Sequence, residues 1–335
     1  MKKFLALLMA AAMTLSLAAC GNSSNPGNGT DEKVSLKFST STSETSTWTK
    51  AAYKFADLVK EASDGNITCQ VFSSDQLSGG NQAKGIEMVM NGSTDMSFHS
   101  NLVYSTIDDR FNVVSLPFMF ASTDEADEKL AGPAGDALKE ILDSYGLECL
   151  GFGENGFRQI TNSVREIKGL DDFAGIKFRV NNSNMLISTY KCLGADPTSM
   201  NWSEVFTSLQ QGAIQGQENP LDVIYSSSIY EVQDYISLWG CTYDALFLCF
   251  NKDTLNSLSE KNQKIIRDCA AQACEYQKEL NRANGEEQLA AFKEAGMTVT
   301  ERDEMDMAAI IEAVQPVYTE YESIVGEDLM ALFQE

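Results

Sequence analysis

The sequence predicts an α/β protein of two domains with a cleft between them. Three observations predict it. Apolar alternation and helical spacing succeed each other along the chain, a second such series begins after residue 150, and the dense apolar run Ala245 to Phe250 suits a buried strand returning to the first domain.

The first series starts where Val34, Leu36 and Phe38 alternate as a strand. Trp48, Ala52, Phe55 and Val59 then recur at helical spacing until Asp64-Gly65 stops them, and Ile67, Cys69 and Val71 alternate again, which makes a βαβ unit. Gln82 to Met90 reads as a helix ended by Asn91-Gly92, a strand follows through Met96 and Phe98, and another helix spans about 124–144. In the second series, Gly175 to Val180 reads as a strand and Ser183 to Leu193 as a helix ended by Gly194. Ser203 to Gln211 reads as a helix with a serine N-cap and Gly212 past its end. Ser259 to Ala295 is one long or once-broken helix with Ile265, Ile266, Cys269, Tyr276 and Leu280 on one side. Met297 to Thr300 is a short strand, and helical patterns fill the C-terminus. The expected division is 33–156 plus about 248–300 for the first α/β domain and 157–247 for the second, with C-terminal helices at 301–335 packing across both.

The N-terminus reads as a targeting segment. Lys2-Lys3 is a positive n-region, Phe4 to Leu17 is an apolar run too short to span a bilayer comfortably, and Leu17-Ala18-Ala19-Cys20 is a small-residue cleavage site ending in cysteine. That site resembles a bacterial lipobox, which implies cleavage before Cys20, a lipid on its thiol and an exported protein tethered to a membrane face; the alternative is an ordinary signal peptide with an incidental cysteine. Residues 21–32 cannot bury apolar surface and read as a flexible tether. No later run of apolar residues is long enough for a membrane span.

The chain carries 48 Asp+Glu against 25 Lys+Arg, a formal net charge of -23, so it offers no broad basic face to nucleic acid. An anion must bind in a local pocket, where two converging arginines can invert the potential. The stretch from Gly153 to Pro220 has the parts for one: Arg158 and Arg179 at strand ends, closed by Gly216-Gln217-Glu218-Asn219-Pro220. Two guanidinium forks and an amide suit a small carboxylate.

Other chemistries find little support. Gly151-Phe152-Gly153-Glu154-Asn155-Gly156 matches the dinucleotide fingerprint, with Asp171 and Asp172 downstream, but Phe157-Arg158-Gln159-Ile160 does not begin an amphipathic helix; a glycine-rich crossing between domains fits better. Asp171-Asp172 is read as a solvated turn before a strand. The single histidine, His99, leaves no His-rich metal site and little room for a Ser-His-Asp triad. His99 is either a pocket residue at a strand end or a satisfied half-buried one. Beyond Cys20 there are seven cysteines, an odd number without a Cys-x-x-Cys, expected as buried free thiols. No cofactor, metal or catalysis is expected.

The order of motifs carries a resemblance. Leu77 to Met96, Leu116-Pro117-Phe118-Met119-Phe120, Gly156-Phe157-Arg158, Asp171 to Val180, Leu193-Gly194-Ala195-Asp196-Pro197-Thr198, and Trp202-Ser203-Glu204-Val205-Phe206 through Gly216-Gln217-Glu218-Asn219-Pro220 resemble the solute-binding proteins of tripartite ATP-independent periplasmic (TRAP) transporters. The resemblance covers nearly all of residues 33–330. It implies a periplasmic-binding-protein-like clamshell with crossing connections and long C-terminal helices. Such a protein captures a small organic acid and delivers it to membrane permease subunits, lipid-anchored at the outer face of the cell membrane or periplasmic. By the same resemblance Arg179, in Lys177-Phe178-Arg179-Val180, pairs with the ligand carboxylate, Arg158 reaches the same carboxylate or its neighbour, and Asn219 completes the clamp. Trp202 is an apolar wall, and Asn182 and Ser100 line the cleft beside His99. The chain departs from the family pattern at Asn181, Gln215 and Trp239-Gly240-Cys241, positions that bear on the polar contacts selecting the substrate. Uronates or aldonates are the first expectation and four-carbon dicarboxylates the second. A ligand-sensing module for a receptor is the alternative function, and a sugar-acid enzyme a third.

Overall fold

The computed structural model describes residues 33–334; the leader, Cys20, the tether at 21–32 and Glu335 lie outside the described residues. Two mixed sheets organise the described chain. The first has the order β2-β1-β3-β10-β4, with β1 Val34–Thr40, β2 Ile67–Phe72, β3 Met96–Ser100, β4 Leu147–Phe157 and β10 Tyr243–Asn251. The second has the order β11-β9-β5-β8-β6-β7, with β5 Gln159–Asn162, β6 Lys177–Val180, β7 Asp196–Ser199, β8 Gly216–Asn219, β9 Tyr235–Ser237 and β11 Thr298–Thr300.

The opening βαβ unit forms as the spacing predicts. Leu36 and Phe38 go inward while Ser35 and Lys37 stay exposed, and β1 runs parallel to β2 with Val34 opposite Ile67. The crossover helix Thr47–Ala62 starts where Ser46 Oγ accepts from Trp48 N, and it buries Ala51, Ala52, Phe55 and Val59. β10 lies antiparallel between β3 and β4 and is buried along its whole length, which is why its sequence is an unbroken apolar run interrupted only at its ends.

Two strands of chain pass side by side from sheet to sheet. Arg158 alone separates β4 from β5, residues 238–242 join β9 to β10, and Arg158 N–H donates to the Thr242 carbonyl at 2.9 Å. The helix Glu260–Glu294 is unbroken; it places Ile266, Ala270 and Cys274 in the core under the first sheet and Phe292 in the core under the second. Its one glycine, Gly285, costs about 1 kcal/mol of helix propensity and does not break it. The helix Gln315–Val325, the last but one, packs against both Asp109–Ser115 and Asn184–Cys192.

Several expectations are corrected. The segment at 124–144 is two helices, Thr123–Ala131 and Pro133–Ser144, because Pro133 has no N–H to continue the first and starts the second. The helix at Trp202–Gln210 begins one residue early, and Ser203 is not its cap: Ser203 Oγ donates to the Gly80 carbonyl at 3.1 Å. β11 pairs with β9, so the stretch to residue 300 ends in the second sheet, not the first domain. The glycine-rich run is part of β4. A side chain on Gly153 would run into the Phe98 ring and come within 2.8 Å of Gln277 Oε1, so glycine here lets the strand lie close under the long helix. The seven described cysteines are free, but only Cys241, Cys249, Cys269 and Cys274 are buried as expected, Cys69, Cys149 and Cys192 being half-buried; burial pushes the Cys69 thiol up to about 12. No described helix is long and apolar enough to cross a membrane.

Candidate functional site

Strand ends of both sheets, the helix Thr47–Ala62 and the helix Trp202–Gln210 meet at a narrow, partly enclosed cleft whose free volume is only about 30 Å³. Arg158, Arg179, Asn219, Trp202 and Ser100, expected from the sequence, all line it. The two arginines arrive by different routes: Arg158 sits at the crossing between β4 and β5, and Arg179 on β6.

Arg158 is almost wholly committed to its own chain. Its Nε donates to Glu218 Oε2 and its Nη1 to Asp244 Oδ2, while Nη2 donates to Glu218 Oε1 at 2.7 Å, to the Glu218 carbonyl at 2.7 Å and to Asn219 Oδ1 at 2.9 Å. Burial alone would lower its pKa, but Glu218 and Asp244 outweigh burial and hold the guanidinium above its usual range. The sequence reading of two converging arginines did not include these two acids. Glu218 and Asp244 balance the two guanidinium charges, and Arg158 orients Asn219 rather than standing free to grip a ligand. Asn219 Nδ2 donates to Gln217 Oε1 at 2.7 Å, and Gln217 Nε2 to Thr161 Oγ1 at 2.9 Å, so the amide polarity is fixed from β5 outward.

Arg179 differs. Its Nε and Nη2 donate to the Met200 carbonyl at 3.0 and 2.7 Å, its guanidinium carbon lies 5.4 Å from the Trp202 ring centroid, and among the described residues no carboxylate makes a salt bridge with it. Yet the side chain is 2% exposed. Burial lowers its pKa to about 9, Glu218 opposing and Arg158 adding to the fall. A guanidinium stays charged at neutral pH, so the site holds a desolvated cation whose Nη1 and one edge remain for an incoming anion.

Two expected residues face away. Strand side chains alternate, so the face of β6 that carries Arg179 also carries Asn181, which is buried in the lining, while Asn182 is exposed. On β3 the lining residue is Ser100; His99 points to the opposite face, fully buried, with Nε2 3.2 Å from Asp75 Oδ1. Eight lining residues were missed, among them Asn181, Trp48, Asn155 and Gln82. Trp48 and Asn155 meet through Nε1 to Oδ1 at 3.2 Å, and Gln82 comes from the start of the helix Gln82–Met90. The face shared with Arg179 could have found Asn181; nothing local marks Trp48 or Asn155. Among the described residues no His/Cys/Asp/Glu cluster has the form of a metal site.

The family model for bacterial extracellular solute-binding proteins, family 7, matches residues 38–324. The chain is 35% identical over 265 residues to the 2,3-diketo-L-gulonate-binding periplasmic protein of Escherichia coli (strain K12), covering 79% of this chain and 80% of that one. It is 28% identical over 322 residues to the sialic acid-binding periplasmic protein of Vibrio cholerae serotype O1, covering 96% of each. Its fold is similar to the sugar acid binding protein of Advenella mimigardefordensis in complex with galactonate, at TM-score 0.86 and 32% identity over 90% of this chain and 97% of that one. A TRAP periplasmic solute binding protein of Roseobacter denitrificans with bound β-D-glucuronate superposes at TM-score 0.85 and 27% identity, over 90% and 99% of the two chains.

Proposed function

We propose, from the premise that this chain belongs to the family 7 bacterial extracellular solute-binding proteins of TRAP transporters, that it takes a small hydroxylated acid through Arg179. The observation that carries this is a buried guanidinium with no carboxylate of its own, set in a cleft of hydroxyl and amide groups. A carboxylate there accepts two parallel N–H donors and relieves the desolvation of the cation in one step. Ser100, Asn155, Asn181 and Asn219 supply hydrogen-bond partners for sugar hydroxyls, and Trp202 supplies a flat apolar wall. Uronates and aldonates fit this lining. The relatives that carry 2,3-diketo-L-gulonate, galactonate and glucuronate support the same class.

Occupancy then favours the closed arrangement of the two lobes, which the permease subunits recognise. Cys20 is the lipid attachment point after export. A thermal-shift screen of ligand-stripped protein against uronates, aldonates, dicarboxylates, keto acids and neutral sugars tests the reading. Acids alone are expected to raise the melting temperature by several degrees, since ligand at about 1,000 times its dissociation constant adds about 4 kcal/mol. Shifts confined to neutral sugars or amines would sink it.

A further inference from the structure

Behind the lining lies a buried carboxylate. Asp244 is fully buried and is not part of the cleft wall. Its Oδ1 accepts from Ser100 Oγ at 2.6 Å, and its Oδ2 accepts from Asn155 Nδ2 at 2.8 Å and from Arg158 Nη1. Three lining side chains therefore share one acid. A strand irregularity brings them together: Ala245 pairs with Glu154 and Asp244 with Gly156, which leaves Asn155 as an extra residue in β4. Gly156 has φ +97°, a left-handed conformation that glycine tolerates.

These contacts fix what the wall offers. The Ser100 hydroxyl hydrogen goes to Asp244, and its oxygen also accepts from Leu102 N at 3.1 Å, so a lone pair is what remains for the cleft. Asn155 accepts from Trp48 Nε1 and donates to Asp244, so one amide N–H remains. A lone pair beside an N–H matches both the donor and the acceptor of one hydroxyl group, whereas an ionised carboxylate can use the N–H but has no hydrogen for the lone pair. Charge acts in the same direction. Arg158 and Arg179 are the only cations among the lining residues, and Glu218 and Asp244 balance them before any ligand arrives. One ligand carboxylate has Arg179. A second has no cation and two buried acids behind the wall.

We propose that Asp244 is a specificity-determining positioning residue: by turning Ser100 and Asn155 into hydroxyl partners and cancelling charge at Arg158, it restricts the cleft to acids with one carboxylate. This rests on the capture of a carboxylate by Arg179 in the same cleft, and it separates monocarboxylate sugar acids from dicarboxylates of the same carbon skeleton.

Calorimetric titration of ligand-stripped protein with matched pairs tests it: galactonate against galactarate, and glucuronate against glucarate. The singly charged acid of a pair is expected to bind tighter by about tenfold or more. Asp244→Asn removes the charge at nearly constant size and is expected to shrink that preference by about tenfold, while Asp244→Glu keeps the charge and the preference even as both affinities fall. Equal binding of both members by the wild-type protein overturns the proposal, as does an unchanged preference in a folded Asp244→Asn. If circular dichroism shows that Asp244→Asn does not fold, the ratios of the wild type and of Asp244→Glu decide. Tight dianion binding that disappears in Arg179→Ala overturns this inference alone; a panel with no binding, or binding that survives Arg179→Ala, overturns the capture reading beneath it.

Discussion

Arg158 and Arg179 enter the same cleft, are buried to the same degree, and have opposite surroundings. Arg158 faces Glu218, Asp244 and Asn219, so its donors are largely satisfied before any ligand arrives. Arg179 has one carbonyl and an indole face. The same residue type thus does two jobs: a guanidinium paired with two carboxylates builds the wall, and one with no carboxylate in contact keeps donors for an anion. Sequence position alone does not separate the two. The partners do.

The largest effect should come from removing the compensated arginine. Arg158→Ala leaves Glu218 and Asp244 buried without a cation and should cost about 3–5 kcal/mol of stability in urea unfolding of the ligand-free protein. Arg179→Ala should behave in the reverse way. It leaves no acid unpaired, so ligand-free stability should change by less than about 1 kcal/mol, while carboxylate binding falls by about 2–5 kcal/mol in calorimetric titration. Equal stability losses in the two variants would erase the contrast. Trp202 sharpens it further, because its ring covers only Arg179: Trp202→Ala should weaken binding by about 0.5–2 kcal/mol with Trp202→Phe in between, and Arg158-dependent stability should not respond.

Much of this was legible in the sequence, because helical spacing and strand alternation belong to local segments. The unit Val34 to Val71 and the long helix are examples, and so is Arg179, which a strand end in a cation-poor chain makes conspicuous. What escaped was set by parity or by distance. His99 and Ser100 are neighbours on one strand, as are Asn181 and Asn182 at the end of another, and choosing the wrong member of each pair turns the side chain to the other face. The partners of Arg158 lie 60 and 86 residues away, hidden among the 48 acids of the chain. β11 was misassigned because a three-residue strand after a long helix can return to either sheet, and only its pairing with β9 decides.

Arg282 offers the smallest and cleanest control, an arginine paired as fully as Arg158 but 34% exposed. It joins Glu154 at 2.6 Å and Asp127 at 2.7 Å, and Asp127 also accepts from Lys278 at 2.7 Å, tying the helix Thr123–Ala131 to the long helix. Burial raises the Asp127 pKa, but the hydrogen bonds and charges of Lys278 and Arg282 together bring it below the usual carboxylate range. A folded pKa below the unfolded one means that the contribution is present above the unfolded value, about 4, and is lost as pH falls through the folded value. Water screens this acid, so Asp127→Asn should cost only about 0.5–1 kcal/mol at neutral pH. That difference should shrink in high salt, fade on acidification, and leave ligand affinity unchanged. A loss as large as that of Arg158→Ala would mean that exposure does not set the worth of these pairs, and that burial is the wrong explanation for the contrast inside the cleft.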